Sequence, residues 1–345
     1  MAQRPTLRDV AQLAGVHPAT ASRALNVETR RLVHEATLRR VEQAARTLDY
    51  RPDHLARSLK TGRSSSVGVL VPDITNPLFP PILRGIEDRL ARRGYVSLIG
   101  NTDNDDERER LVLEGMRARY VDGLVVATAR RSHQRLLDLA TNDVPVVLVN
   151  RVVESHALPS VSVDDQAGIR SAVAHLVDLG HRRIAHVAGP QQLSTGFGRY
   201  EGFRAGATVN GIEVDDDLVV FAESFSEPEG FRCARTLLER RADVTAIVAG
   251  NDMLALGCLR ALAEAELSCP GDISLVGFND MPLMDRISPP LTTVRVPHYE
   301  IGAEAAELLL ERVANRDGPA KTVLLPPQLV VRASTAPAPS GRPRR

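Results

Sequence analysis

Residues 6–26 leave their segment little choice but two short helices around one tight turn. Leu7, Val10, Ala11 and Ala14 fall at i, i+3, i+4 and i+7, on one face of a helix. Thr6 stands where its hydroxyl can accept an otherwise unpaired backbone N–H at that helix's start. Gly15 is placed to end the helix in the left-handed conformation that glycine adopts most easily. Pro18 then sits in the first turn of a second helix, where its fixed φ is tolerated. Ala21 and Leu25 supply an inner face for that helix and leave Thr20, Ser22, Arg23 and Asn26 outward. Two short helices joined this way allow the second to enter a DNA major groove.

Charge points the same way. Residues 1–65 hold twelve Arg and Lys against six acids, whereas the whole chain is net zero, so the remainder carries six excess negative charges. A basic head on a mildly acidic body suits a phosphate-binding module attached to a second function. The competing reading, a solvated helical cap with a chance excess of arginine, does not explain why turn chemistry and charge agree.

At 345 residues the chain is long enough for two or three domains. No apolar run approaches a membrane span, and Met-Ala-Gln-Arg-Pro has no export-signal region behind it. Cys233, Cys258 and Cys269 are odd in number and lack metal-type spacing, which favours reduced buried thiols in a cytoplasmic protein.

A third helix is expected with Leu38, Val41, Ala45 and Leu48 on one stripe, ending before Pro52. Residues 53–60 are expected to form a short, marginal helix that Asp53 could cap, and Thr61–Ser66 reads as linker. From Ser66 onward, apolar runs alternate with amphipathic stretches of helix length, the signature of parallel sheets with helices on both faces. Nine or more such units exceed one open sheet, so two doubly wound α/β subdomains are expected. The division expected is a headpiece at 1–50, a hinge and linker at 51–65 and a two-subdomain core at 66–335. Within the core, 66–160 with 292–322 make the first subdomain, and 161–291 with 323–335 the second. The Pro-rich basic tail, 336–345, is expected to be disordered.

Polar residues gather where the expected strands end: Asp73, Asn101, Asn150-Arg151, Asn251-Asp252 and Asn279-Asp280. Ligands of open α/β sheets bind outside the carboxyl ends of strands. Asp and Asn also cap the helices that follow such strands, and Asp252 fits that use. Taken across five strands, the pattern predicts a cleft for a hydroxyl-rich small molecule, with Phe79 and Phe225 as apolar surface. Catalytic signals are weak. The run Gly196-Phe-Gly198-Arg-Tyr-Glu-Gly202 has the wrong spacing for a dinucleotide loop, and no Walker-type loop occurs. Asp103–Glu107 lacks the glycine and terminal glutamate of a calcium loop. His175, His181 and His186 are spread over a helix, a loop and a strand. No catalytic residue, metal site or cofactor is assigned.

Over nearly its whole length the chain resembles the LacI/GalR family of bacterial transcriptional regulators. The residues that carry this are Thr6–Val16, Ala19–Asn26, Tyr50-Arg-Pro52 and Ala56–Lys60 in the head. In the body they are Val121–Leu124, Asn150-Arg151, His175-Leu176, Gly180–Ile184, Asn251-Asp252, Val276–Asp280 and Pro290–Thr293. The resemblance implies a homodimer with cores like type I periplasmic binding proteins, reading a palindromic operator.

By family pattern, Pro18, Ala19, Thr20, Ser22 and Arg23 lie at the major groove, with Arg23 the main base contact and Thr6 and Asn26 on phosphates. Ala56, Arg57, Leu59 and Lys60 match the hinge helix, with Leu59 wedged into a minor-groove step. Phe79, Asn150, Arg151, Thr195, Arg199, Phe225, Asn251 and Asn279 fall at effector-contact positions.

Three departures stand out. His17 replaces the usual serine cap of the recognition helix, which puts that cap in doubt. Asn279 replaces the usual first aspartate of its motif, and Leu193 replaces the arginine of purine-responsive members. The function implied is a repressor of carbohydrate uptake or catabolism genes, released by a sugar-like effector that closes the cleft and realigns the hinge helices. Co-repression by a ligand and ligand-independent binding remain open alternatives. A solute-binding protein would lack the basic helix-turn-helix, and a sugar-modifying enzyme would need a catalytic constellation that is not found. Without a terminal heptad helix, a dimer is expected rather than a tetramer.

Overall fold

The computed structural model describes residues 5–26, 29–50, 63–141, 144–241, 243–316 and 318–339. The chain divides into two units, residues 1–64 and 65–345.

In the first unit, α1 (Leu7–Leu13), α2 (Pro18–Leu25) and α3 (Glu35–Thr47) enclose Val10, Ala11, Ala14, Ala21, Ala24, Val41, Ala44 and Ala45. So small a core, mostly alanine, lets three short helices approach closely. Thr6 and Asp9 make a reciprocal capping box: Asp9 N–H donates to Thr6 Oγ1 and Thr6 N–H to Asp9 Oδ2. Gly15 takes φ +63°, as its place after α1 predicted. The inner face of α2 is Ala21 and Ala24, while Leu25 is half-buried, one position from the expected pairing. His17 does cap α2. Its Nδ1 accepts from Ala19 N–H at 3.2 Å, so imidazole substitutes for a hydroxyl. The predicted helix at 53–60 lies outside the described residues.

The second unit holds two six-stranded sheets. The first sheet contains β1 (Ser66–Val71), β2 (Val96–Asn101), β3 (Gly123–Val126), β4 (Val146–Val149), β5 (Ser160–Val163) and β11 (Thr322–Leu325). Its order is β11-β5-β4-β3-β1-β2, every pair parallel. Strand periodicity splits its residues between two layers. Val67, Val69 and Val71 face one side, toward α4 (Phe79–Arg92) and α11 (His298–Ala314). Leu70 faces the other, with Leu113 and Met116 of α5 (Asp106–Ala118) and Leu136 of α6 (Gln134–Thr141). Helices α4 and α11 touch through glycine: a Cβ on Gly85 would lie 2.1 Å from Tyr299 O, and one on Gly302 2.0 Å from Ile82 O.

The second sheet contains β6 (Ile184–Ala188), β7 (Val219–Phe221), β8 (Ala246–Ala249), β9 (Ser274–Asn279), β10 (Thr292–Arg295) and β12 (Gln328–Val330). Its order is β12-β10-β9-β8-β6-β7, and only β12 runs antiparallel. Two helix pairs cover it, α7 (Asp165–Asp178) with α8 (Ser194–Val209), and α9 (Glu227–Arg240) with α10 (Asp252–Glu264).

Two boundaries differ from expectation. Val161–Val163 belongs to the first sheet, paired with β4 and β11, and Thr292–Arg295 belongs to the second, beside β9. The apolar stretch Thr322–Val331, cut at 322/323 by the expected division, holds two strands in different sheets, separated by Pro326-Pro327, which cannot donate to a ladder. The chain therefore passes between the sheets three times, after residues 163, 295 and 325. The start of the tail is also ordered. Ala338 N–H donates to Leu179 O at 2.8 Å, and Ala336 O accepts from His181 Nε2 at 3.0 Å, so 336–339 pack on the second subdomain. Residues 340–345 lie outside the described residues.

Candidate functional site

On the headpiece, α2 carries Ala19 and Arg23 exposed and Pro18, Thr20 and Ser22 half-buried. No ion pair holds the Arg23 guanidinium among the described residues, while its carbonyl accepts from Thr29 Oγ1 at 3.0 Å. Thr6 Oγ1 donates to Asp9 Oδ2 at 2.8 Å, so its hydroxyl is already engaged in the cap. Asn26 follows α2 as its C-cap. Ala56, Arg57, Leu59 and Lys60 lie outside the described residues.

In the core, a cavity of about 480 Å³ lies between the two sheets, at the carboxyl ends of their strands. Both sheets reverse their strand order there, at β1/β3 in the first and β6/β8 in the second, where open α/β sheets leave a crevice. All eight residues singled out in the sequence line it: Phe79, Asn150, Arg151, Thr195, Arg199, Phe225, Asn251 and Asn279. Phe79 opens α4 and is buried to 1% exposure. Phe225 is admitted by Gly189, where any Cβ would lie 2.3 Å from the ring. Asn150 and Asn279 follow or end their strands with φ of +66° and +117°, left-handed backbone that asparagine tolerates better than most residues. Asn251 Oδ1 caps α10 by accepting from Leu254 N–H at 2.9 Å.

Arg199 is the best-held cation of the cavity. Its Nε donates to Asp165 Oδ1 at 2.7 Å and its Nη1 to Gly250 O at 2.8 Å. Its guanidinium lies 3.9 Å from the centre of the Phe278 ring, a cation–π contact. The glycine run that fails as a dinucleotide loop explains this placement. A Cβ on Gly202 would sit 2.8 Å from Gln166 Cα, so α8 can lie against α7 and bring Arg199 to Asp165. Burial drives the Asp165 carboxyl above its ordinary range, and Arg199 offsets that in part.

Arg151 is held differently. It is 7% exposed, and its one polar side-chain contact among the described residues is Nη1 to Asn104 Oδ1 at 3.4 Å. Burial, with repulsion from Arg130 and Arg199, pulls its ordinarily higher pKa down to about 10.

Of the other strand-end polar residues, Asp73 lines the cavity but Asn101, Asp252 and Asp280 do not. Asn101 Oδ1 accepts from Ile74 N–H. Asp252 is not the α10 cap. It is fully buried, accepts from Met281 N–H at 2.7 Å and Thr293 Oγ1 at 2.6 Å, and so ties β9 to β10. Asp280 pairs with Arg295 and Arg332. Sequence reasoning missed Asn76, Asn104, Arg130, Gln192 and Glu223, loop residues whose approach depends on loop paths that carry no periodic signal. The histidines do not converge: His175 meets Thr335 Oγ1, His181 meets Thr245 Oγ1, and His186 donates to Val248 O. Cys233, Cys258 and Cys269 are unpaired thiols. Among the described residues no metal-ligating cluster occurs, and no helix is long and apolar enough to cross a membrane.

A helix-turn-helix followed by two parallel-sheet lobes around a polar cavity defines a DNA-binding regulator with a small-molecule-binding core. The chain belongs to the LacI family. The family profile for bacterial regulatory proteins of the lacI family matches residues 6–53, and that for a periplasmic binding protein-like domain matches 173–335. A ribose operon repressor of Halalkalibacterium halodurans is 35% identical over 330 residues, 96% of this chain and 97% of that protein. The HTH-type transcriptional repressor CytR of Escherichia coli is 33% identical, covering 96% of each. Among solved structures, the lac repressor dimer bound to operator and an anti-inducer superposes with TM-score 0.85 at 27% identity, over 97% of this chain and all of that one. A LacI family regulator of Enterococcus faecium with bound ribose matches 79% of this chain and all of that one, with TM-score 0.70 and 33% identity. The family is one of transcriptional regulators rather than enzymes.

Proposed function

We propose that this regulator is a cytoplasmic homodimeric repressor of carbohydrate uptake or catabolism genes, released from a palindromic operator by a sugar-like effector held in the cavity. The observation that carries the effector reading is the meeting of eight residues from six separate chain segments on one cavity. Their amides, hydroxyl, guanidiniums and aromatic faces are what a polyhydroxylated ring with apolar C–H faces requires. Ribose is the ligand of one similar structure and names the operon of one similar repressor.

On DNA, exposed Arg23 makes the sequence-reading contact, since a guanidinium can bond two guanine acceptors at once. Pro18, Ala19, Thr20 and Ser22 pack around it in the groove; Asn26 fixes register on a phosphate, and Thr6 does so by turning its hydroxyl proton from Asp9 to the phosphate. Ala56, Arg57, Leu59 and Lys60 serve the central minor groove. Residues 51–65 connect this headpiece to the core.

The test is selection of bound sites from a random DNA pool by the purified protein at physiological salt, followed by sugar titration of the selected complex. The expected result is a palindrome with two half-sites, released by a sugar. Arg23→Ala should lose discrimination at one base pair per half-site, by about 1–3 kcal/mol, with sugar binding intact. Binding without a motif, lost as salt rises, would refute operator reading. Tighter DNA binding on adding sugar would reverse the sign to co-repression.

A further inference from the structure

The charges inside the cavity do not balance. Six polar residues lining it are buried: Asn150, Arg151, Thr195, Arg199, Asn251 and Asn279. Two are cations and none is a carboxylate. Asp165 answers Arg199 at 2.7 Å, whereas no carboxylate of the described residues pairs with Arg151. Among the described residues no carboxylate lies within 4.0 Å of its guanidinium, whose one hydrogen bond is long and goes to a neutral amide. Glu109 attracts it from farther off. That carboxylate is already engaged by Thr128 Oγ1, by His133 Nε2 at 3.1 Å and by Arg135 at 3.9 Å. The two carboxylates on the cavity wall do not fill the gap: Asp73 Oδ1 accepts from Thr75 N–H and Oγ1, and Glu223 is solvent-exposed.

A buried guanidinium carries five N–H donors and cannot shed its charge at neutral pH. Leaving it unpaired is costly, so such groups are ordinarily matched by an anion. Arg130, another cation of the wall, is paired with Asp106 and still adds to the repulsion on Arg151. The cavity is therefore positive within and offers a planar fork suited to two acceptor oxygens.

We infer that the effector carries an anionic group, a phosphate ester or a carboxylate, that pairs with Arg151 while its hydroxyls meet the surrounding amides. This rests on the sugar-effector reading and narrows it. The phosphate and the carboxylate share their chemistry toward Arg151 and are separated by experiment.

The full-length protein is titrated calorimetrically with a panel of neutral pentoses and hexoses, their phosphate monoesters, their aldonates and inorganic phosphate. The expected result is that one anionic member binds about 10- to 100-fold tighter than its neutral parent, the range of a charge-assisted hydrogen bond. A preferred ester identifies phosphate, and a preferred aldonate identifies carboxylate. Arg151→Gln should abolish that preference without lowering the melting temperature, because it removes an unpaired buried charge. Should that variant not fold, Asn279→Asp, which adds a carboxylate to the wall, should cut the preference by about tenfold. Neutral sugars binding as tightly as anionic ones, or Arg151→Gln retaining the preference, would overturn the inference and leave the sugar reading intact. Inorganic phosphate binding that Arg151→Gln abolishes, with no sugar bound, would keep the anion and sink the sugar. Binding of no panel member would overturn both.

Discussion

His186 should make the core acid-labile in a way that one substitution can isolate. The ring is fully buried in β6, stacked on Phe203 with centroids 4.7 Å apart. Its Nδ1 donates to Val248 O at 2.8 Å, which fixes the neutral tautomer and leaves Nε2 buried with no partner among the described residues. Protonation would place a charged N–H at Nε2 with nothing to accept it, so burial holds the pKa down to about 4 from 6.5. Between those values the unfolded chain binds a proton that the folded chain refuses. Stability from this group is complete above pH 6.5 and is lost as pH falls toward 4. The shift corresponds to about 3 kcal/mol in total, accrued at roughly 1 kcal/mol per pH unit.

His298, also lowered to about 4, acts in the same direction. Asp252, raised to about 7 by burial, acts in the opposite one, because its carboxyl gains a proton more readily in the folded state. The wild-type curve alone therefore hides the histidine. Urea unfolding of wild type and His186→Phe, followed by far-ultraviolet circular dichroism from pH 4 to 7.5, removes the shared contributions by difference. Phe keeps the stack on Phe203 and loses one hydrogen bond, about 1 kcal/mol at pH 7.5. The gap between the proteins should shift in the variant's favour by about 3 kcal/mol at pH 4. A difference that stays flat across this window would refute the argument.

Two further outcomes follow from packing and capping. Gly85→Ala puts a methyl group into the backbone of Tyr299, so α4 and α11 must separate; a loss of about 1–3 kcal/mol is expected, read as a lower urea midpoint. His17→Ala removes the acceptor for Ala19 N–H and should cost the headpiece about 1 kcal/mol, visible as faster amide exchange in the first turn of α2.

Features written in local chemistry were legible in the sequence. The helix-turn-helix follows from Thr6, Gly15 and Pro18, each of which acts within four residues of itself. The cavity was legible because ligands of open α/β sheets bind at the carboxyl ends of strands: Asn251 and Asn279 stand at such ends in one sheet, Asn150 in the other, and both sets line it. Sheet membership was not legible. Val161–Val163 and Thr292–Arg295 are apolar runs suited to either sheet, and only pairing with β11 or with β9 decides. Arg151 was found, but not that no carboxylate pairs with it among the described residues, since where Glu109 falls depends on how α5 is laid on the sheet. Ala336 and Ala338 looked like disordered tail because proline-rich composition says nothing about an available His181 or Leu179 carbonyl.

The three crossings between the sheets also bear on how the protein is made. Neither lobe is a continuous stretch of chain: the first lacks its edge strand until residues 322–325 exist, and the second lacks its own until 328–330. A ribosome that has released the first 163 residues has therefore released a headpiece ready to fold and one sheet with an open edge. That edge, β5, displays unpaired backbone groups for as long as the next 160 residues take to emerge, at about 5–20 residues per second. Synthesis leaves it exposed for some ten to thirty seconds by that rate, roughly, before the last strands close both lobes almost together.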